Sequence, residues 1–223
     1  MNVIEALHQR KSIRAYRPDP VPRATLERIL TAAARAPSGN NIQPWKVRVL
    51  TGNRLATLTR AVTDFRATHP GTENWAYDYY PATWREPYLT RRRKVGWDMY
   101  GLLGITRADK DRIRAQHDAN FTFFGAPVGI IVTLDRDLSR GSWVDCGMFL
   151  QSLALAATGE GLGCCLQAAW VAHADLVGEV LALEEGEMVV CGMALGWADA
   201  SAAINGLESE REPLASFVTF LDD

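Results

Sequence analysis

The chain has 223 residues, 48% of them hydrophobic, enough to bury a full core and near the upper end of what one domain covers. Its 24 basic and 26 acidic residues leave a formal charge of −2, which gives no electrostatic reason to expect nucleic acid or an anionic membrane surface as partner. No apolar run is long enough to span a bilayer, and the amphipathic start MNVIEALHQRKSIR lacks the apolar stretch of a secretory signal, so a cytoplasmic protein acting on small molecules is expected.

Asn2 is placed to cap a short helix that carries Val3, Ile4 and Leu7 on one face and ends before the polar run Arg10, Lys11, Ser12, Ile13, Arg14. Pro22 suits a first helical turn, and Leu26, Ile29, Leu30 and Ala33 follow at i, i+3, i+4 and i+7 in a helix that should stop by Pro37. The next loop crowds a hydroxyl, two amides and a Gln into Pro37, Ser38, Gly39, Asn40, Asn41 and Gln43, more than a connection needs. Trp45, Val47 and Val49 then alternate with Lys46 and Arg48 as a half-buried strand does, and Thr51, Gly52 and Asn53 turn the chain into a helix from about Arg54.

From about 64 to 120 aromatics and arginines mix, and Pro81 and Pro87 break any periodicity; a stretch of this length inside one domain reads as a lid or binding segment. Order returns with an apolar buried strand at 128–134. The stretch 146–157 is apolar nearly all round and ends in glycines, as a central helix buried on most sides would. MVVCGMALGW reads as a final core strand, and the tail 198–223 alternates poorly until Phe217, Val218, Phe220 and Leu221. Helix pairs mixed with isolated strands favour α+β over a doubly wound sheet. No G-x-G-x-x-G follows a strand, and GEGLG closes a helix where a dinucleotide fold would open one. Cys146, Cys164, Cys165 and Cys191 lack C-x-x-C spacing and the four histidines lack H-x-x-x-H, so reduced core thiols and no metal are expected.

Three polar clusters remain: Arg10 with Ser12 and Arg14, the loop Ser38, Asn40, Asn41 and Gln43, and Arg211. A phosphate monoester needs guanidinium forks and hydroxyl donors, and a flat heterocycle needs amides and a cation aimed at its polar edge. Together they suit a phosphorylated aromatic cofactor. With RKSIRAYRPDPVPRATLERILTAAARAPSGNNIQPWKVRVLTG, then FFGAPVGIIV, the apolar helix running into GLGCC, ALGW and REPL in that order, the chain resembles the FMN-dependent nitroreductase family.

The resemblance implies a single α+β domain over 1–223, with a central, mostly antiparallel sheet flanked by helices, in an intertwined homodimer that binds FMN at its interface. It implies a lid segment at about 64–120 that varies with substrate, and a tail at about 198–223 that embraces the partner. Arg10, Lys11, Ser12 and Arg211 would grip the FMN phosphate and ribityl chain, with Arg14 beside the pyrimidine edge. Pro37, Ser38, Gly39, Asn41 and Gln43 would reach the flavin bound mainly by the other subunit. Leu166, Gln167 and Ala168 would pass their backbone near flavin N5, Gln167 standing where many relatives have glycine.

Reduction loads negative charge on the N1–O2 edge of a flavin, where a fixed guanidinium such as Arg14 stabilises it, and no further catalytic residue is required. The implied reaction takes hydride from NADH or NADPH through FMN to a nitroaromatic or quinone by a ping-pong mechanism, with Tyr88, Trp97 and Phe123 walling the acceptor pocket. The run Arg91, Arg92, Arg93, Lys94 either contacts nicotinamide phosphates or is a solvated helix face. Two alternatives stand beside this reading: a reductive dehalogenase of the iodotyrosine deiodinase type, with Glu86, Tyr88 and the following arginines clamping a zwitterion, and a flavin-binding protein without turnover.

Overall fold

The computed structural model describes residues 1–221; the last two residues of the expected tail, Asp222 and Asp223, lie outside the described residues. Four strands, β1 (Lys46–Thr51), β2 (Val128–Asp135), β3 (Gly163–Gln167) and β4 (Glu187–Gly196), pair antiparallel in the order β1-β2-β4-β3. Successive side chains of a strand face opposite ways. In β2, Val128, Ile130 and Val132 enter one core while Ile131 enters the other, so the strand is apolar from Val128 to Val132 because both faces are covered.

On the first face lie helices α2 (Arg23–Ala33) and α6 (Arg140–Gly159), which set Ile29, Phe149 and Leu153 against Ile130, Met193 and Leu195. On the second, α3 (Gly52–Thr68) and α7 (Ala174–Leu181) bring Leu58, Val62 and Val177 against Ile131 and Ala194. Each such fully buried aliphatic side chain contributes about 2 kcal/mol. The result is an antiparallel sheet between two helical layers, the α+β arrangement expected.

Several boundaries differ from the sequence reading, for local reasons. α1 (Val3–Gln9) is closed by a capping box, Asn2 and Glu5 each accepting from the other's backbone N–H at 2.9 Å, yet Val3, Ile4 and Leu7 stay exposed and cover nothing in this protomer. Pro22 sits at the N-cap of α2, just outside its first turn, and the helix ends at Ala33, before Pro37. α6 runs past the 146–157 stretch at both ends; inside that stretch only Gly147 and Gln151 are exposed, whereas Val144 just before it is 65% exposed. The 64–120 segment is largely regular: after the last turn of α3 it holds α4 (Tyr88–Leu102) and α5 (Lys110–Asp118), then enters a 3-10 turn at Ala119–Gly125. No helix among the described residues is long and apolar enough to cross a membrane.

Candidate functional site

The polar run after α1 is drawn alongside β3. Ser12 bridges to Cys164, and the Ile13 N–H donates to the Cys164 carbonyl at 2.9 Å. Ile13 turns inward over Gly163, where a Cβ would come within 2.6 Å of it, so the small residue lets the two chains approach. Arg10 and Arg14 both lie close enough to Cys165 to pull its thiol pKa back down against the rise that burial imposes. Arg14 is held at two points: its N–H donates to Asn205 Oδ1 at 2.8 Å and its guanidinium to the Ser12 carbonyl at 3.3 Å. Asn205, itself buried, donates to the Ala15 and Asp199 carbonyls at 2.8 and 2.9 Å. Sequence reasoning missed Asn205, because a lone amide in a late turn carries no periodic signal.

Further along β3 the side chains divide. Leu166 is 42% exposed, whereas the Gln167 side chain turns into the second core, donating to the Asn120 carbonyl at 2.8 Å and accepting from Trp170 Nε1 at 3.4 Å. A glutamine is therefore accommodated here without adding bulk to the exposed side. Leu166 and Ala168 border a cleft of about 690 Å³ whose other walls include Tyr77, Tyr79, Arg140 and Trp143. Tyr77 is fixed there, its hydroxyl donating to the Val190 carbonyl at 2.6 Å and its ring meeting Trp143 edge-on at 4.5 Å. These aromatics were not singled out from the sequence, although Tyr77 and Tyr79 stand in the aromatic-rich stretch it flagged.

The loop at 37–43 is bound to itself and to α6. Ser38 Oγ accepts from the Gln43 N–H at 3.0 Å, a 3-10 turn spans Gly39–Asn41, and the Gly39 N–H donates to Asp145 Oδ1 at 3.1 Å. Asn40, Asn41 and Gln43 take left-handed backbones, φ 49, 58 and 49, at about 1–2 kcal/mol each for ordinary residues and less for Asn. No hydrogen bond or ion pair among the described residues joins this loop to Arg10, Ser12 or Arg14 of the same protomer.

Arg211 bonds within its own tail, to the Ser209 carbonyl and hydroxyl and the Glu210 carbonyl at 2.8–3.0 Å. Its neighbours are tied to α4, Glu212 to Arg91 at 2.8 Å and Glu210 to Lys94 at 3.1 Å. Arg92 lies over the Trp84 ring at 4.9 Å. Lys11 is exposed, and its side chain bonds to no other group among the described residues. Tyr88 lies under Arg85 and Trp97 under Arg107, each at 4.9 Å, on α4 and outside the cleft lining.

Phe123 is a correction. It is 0% exposed and stacks on Trp170 at 4.4 Å, in the slot opened by Gly129, whose absent Cβ would fall within 2.6 Å of the ring. A ring without surface cannot wall a pocket. The four thiols behave as packing groups: burial pushes Cys146 up to about 11 and Cys164 and Cys191 up to about 12, and raises Cys165 as well.

The model of the nitroreductase family matches residues 7–197. Over 217 residues, 96% of this chain and 87% of the relative, the sequence is 40% identical to the 4-nitrobenzoate reductase of Nocardioides sp. (strain LMS-CY). The fold superposes with a TM-score of 0.97, at 36% identity and over 100% of both chains, on the FMN and NADPH-dependent nitroreductase NfnB of sphigopyxis sp. strain HMH. It superposes at 0.92, with 29% identity over 99% of this chain and 100% of the other, on the FMN-dependent nitroreductase NfnB of Mycobacterium smegmatis in complex with NADPH. With a family match from α1 through β4 and a full-length likeness in structure, the chain belongs to the nitroreductase family.

Proposed function

We propose that this protein is an FMN-dependent oxidoreductase that takes hydride from NAD(P)H and passes it to a nitroaromatic or quinone acceptor in a ping-pong cycle. The observation that carries the reading is the placement of Arg10, Ser12 and Arg14 along β3, beside an aromatic cleft that opens at Leu166 and Ala168. Two guanidinium groups and a hydroxyl fit a single phosphate and the polar edge of a flat ring, the donor set that FMN requires. FMN held there by Arg10, Ser12 and Arg14 would supply the two-electron chemistry that links donor and acceptor.

The chain's own groups hold and bias that cofactor. Arg10, Lys11 and Ser12, with Arg211, bind the phosphate, and Arg14, fixed by Asn205, presents a cation to the edge that gains charge. Pro37, Ser38, Gly39, Asn41 and Gln43 serve the flavin of a second protomer, which makes a homodimer the working unit. Tyr77, Tyr79 and Trp143 offer flat apolar walls to an electron-poor ring, and Tyr88 and Trp97 on α4 belong to the lid. Donor and acceptor take turns in one cleft.

Purified protein should be yellow and release FMN on heating. It should oxidise NADPH rapidly only when a nitroarene or quinone is added, with parallel double-reciprocal plots. Colourless protein that cannot be reconstituted with FMN would overturn the reading. Should nitroarenes be inert while a halogenated tyrosine loses its halogen, the dehalogenase replaces it.

A further inference from the structure

Asp145 is the only acidic residue of α6, its side chain sits inside the protein at 6% exposure, and it joins no ion pair among the described residues. A buried carboxylate is costly unless hydrogen-bonded. Its recorded donor is the N–H of Gly39, 106 positions away in sequence, at 3.1 Å from Oδ1, and Oδ2 would stand 4.0 Å from a Cβ built on Gly39.

Gly39 opens the 3-10 turn of the 37–43 loop, and the first N–H groups of any such turn lack partners within it. Ser38, the residue placed to cap that turn, makes no capping bond; its hydroxyl accepts from the Gln43 N–H instead. Asp145 therefore caps the turn from another element. The loop needs this hold, since three of its residues are left-handed and its surface is exposed.

We infer that Asp145 is a positioning residue: it fixes the 37–43 loop in the shape in which Ser38, Asn41 and Gln43 meet the flavin. The capping follows from this structure, and the flavin's part in it rests on the function proposed above. A neutral amide at 145 still offers an oxygen to the Gly39 N–H, whereas a methyl does not. The Asp145→Asn and Asp145→Ala variants thus separate the capping bond from mere bulk.

Two readouts test it. In the FMN-free protein, amide hydrogen exchange of the peptide covering 37–43 should speed up tenfold or more in Asp145→Ala and stay near wild type in Asp145→Asn. Fluorescence titration should show the FMN Kd raised tenfold or more in Asp145→Ala and recovered to within about threefold in Asp145→Asn. Unchanged loop exchange in Asp145→Ala, or an Asn variant as defective as the Ala variant, overturns the inference. Loop exchange that responds while the FMN Kd does not overturns the positioning role and leaves flavin binding intact. Wild-type protein that takes up no FMN fails the proposed function instead, a result the exchange measurement does not share. Should Asp145→Ala not fold, Asp145→Glu, which keeps the charge but moves the oxygens outward by one bond, takes its place with the same expected losses, and wild-type loop exchange and Kd in it overturn the inference.

Discussion

At the scale of single residues, Arg14 is anchored by its backbone N–H on Asn205 and by its guanidinium on the Ser12 carbonyl. A cation fixed before charge arrives needs no reorganisation when it does, and losing one such group costs about a hundredfold or more in rate. Arg14→Ala should therefore slow flavin reduction by NADPH about a hundredfold while FMN stays bound, as stopped-flow bleaching at matched occupancy would show. An unchanged rate would return Arg14 to the ordinary surface charges. Phe123 predicts the opposite pattern. Phe123→Ala should cost about 3–5 kcal/mol of stability in urea unfolding, with no change in the kcat/KM ratio between a bulky nitroarene and a small quinone. The Arg10, Ser12 and Arg14 set was legible because alternate residues of an extended run share a side. Asn205 and Asp145 were not, since each acts on a segment more than a hundred positions away and neither sits in a repeating pattern.

Among the elements, one side chain near the end of α3 holds both ends of the variable segment. Arg66 donates to Glu73 at 3.3 Å, to Asp118 at 2.6 Å and to His173 Nε2 at 3.0 Å, and it covers the Phe121 ring at 4.2 Å. A ring nitrogen that accepts from a guanidinium must carry its lone pair, so His173 is neutral here, and burial and then the Arg66 charge push its pKa down, against a smaller pull from Glu73. The unfolded chain then binds the proton more readily. This contribution to stability is complete above the unfolded value of about 6.5 and is lost progressively as pH falls below it. His173→Gln can still accept from Arg66 but does not titrate, so its urea midpoint should fall less than that of wild type between pH of about 7.5 and about 5.5; an equal fall would place the pH dependence elsewhere. Of the elements read from sequence, α2, β1, β2, β4 and the middle of α6 carry apolar residues in a regular pattern, while α1 and α3 were marked by the capping and turn residues before them. β3 offered only GCCLQ, with no β-branched residue, and α7 only eight residues. α4 buries Tyr100 alone, so no apolar stripe marked it as a helix.

Across the whole molecule, apolar side chains stand uncovered in several places: Val3 and Ile4 on α1, Ile42 in the loop, Val144 on α6, and Phe217, Phe220 and Leu221 in the tail. On the proposed function, a second protomer would cover these side chains. A chain ending at Trp197 should therefore lose dimerisation and flavin together, measured by sedimentation velocity and visible absorbance. If it remained a yellow dimer, the tail would have no part in assembly. The raised thiols have a consequence for durability. Partial reduction of a nitroarene yields nitroso species, electrophiles that add to thiolates, and Cys164, Cys165 and Cys191 sit on or beside the strand where that product would form. Burial pushes Cys164 and Cys191 up to about 12 and raises Cys165 too, so at neutral pH these groups stay as thiols. If the proposed function holds, these cysteines are poor targets for the product, and such adducts should fall first on small thiols in the surrounding solution.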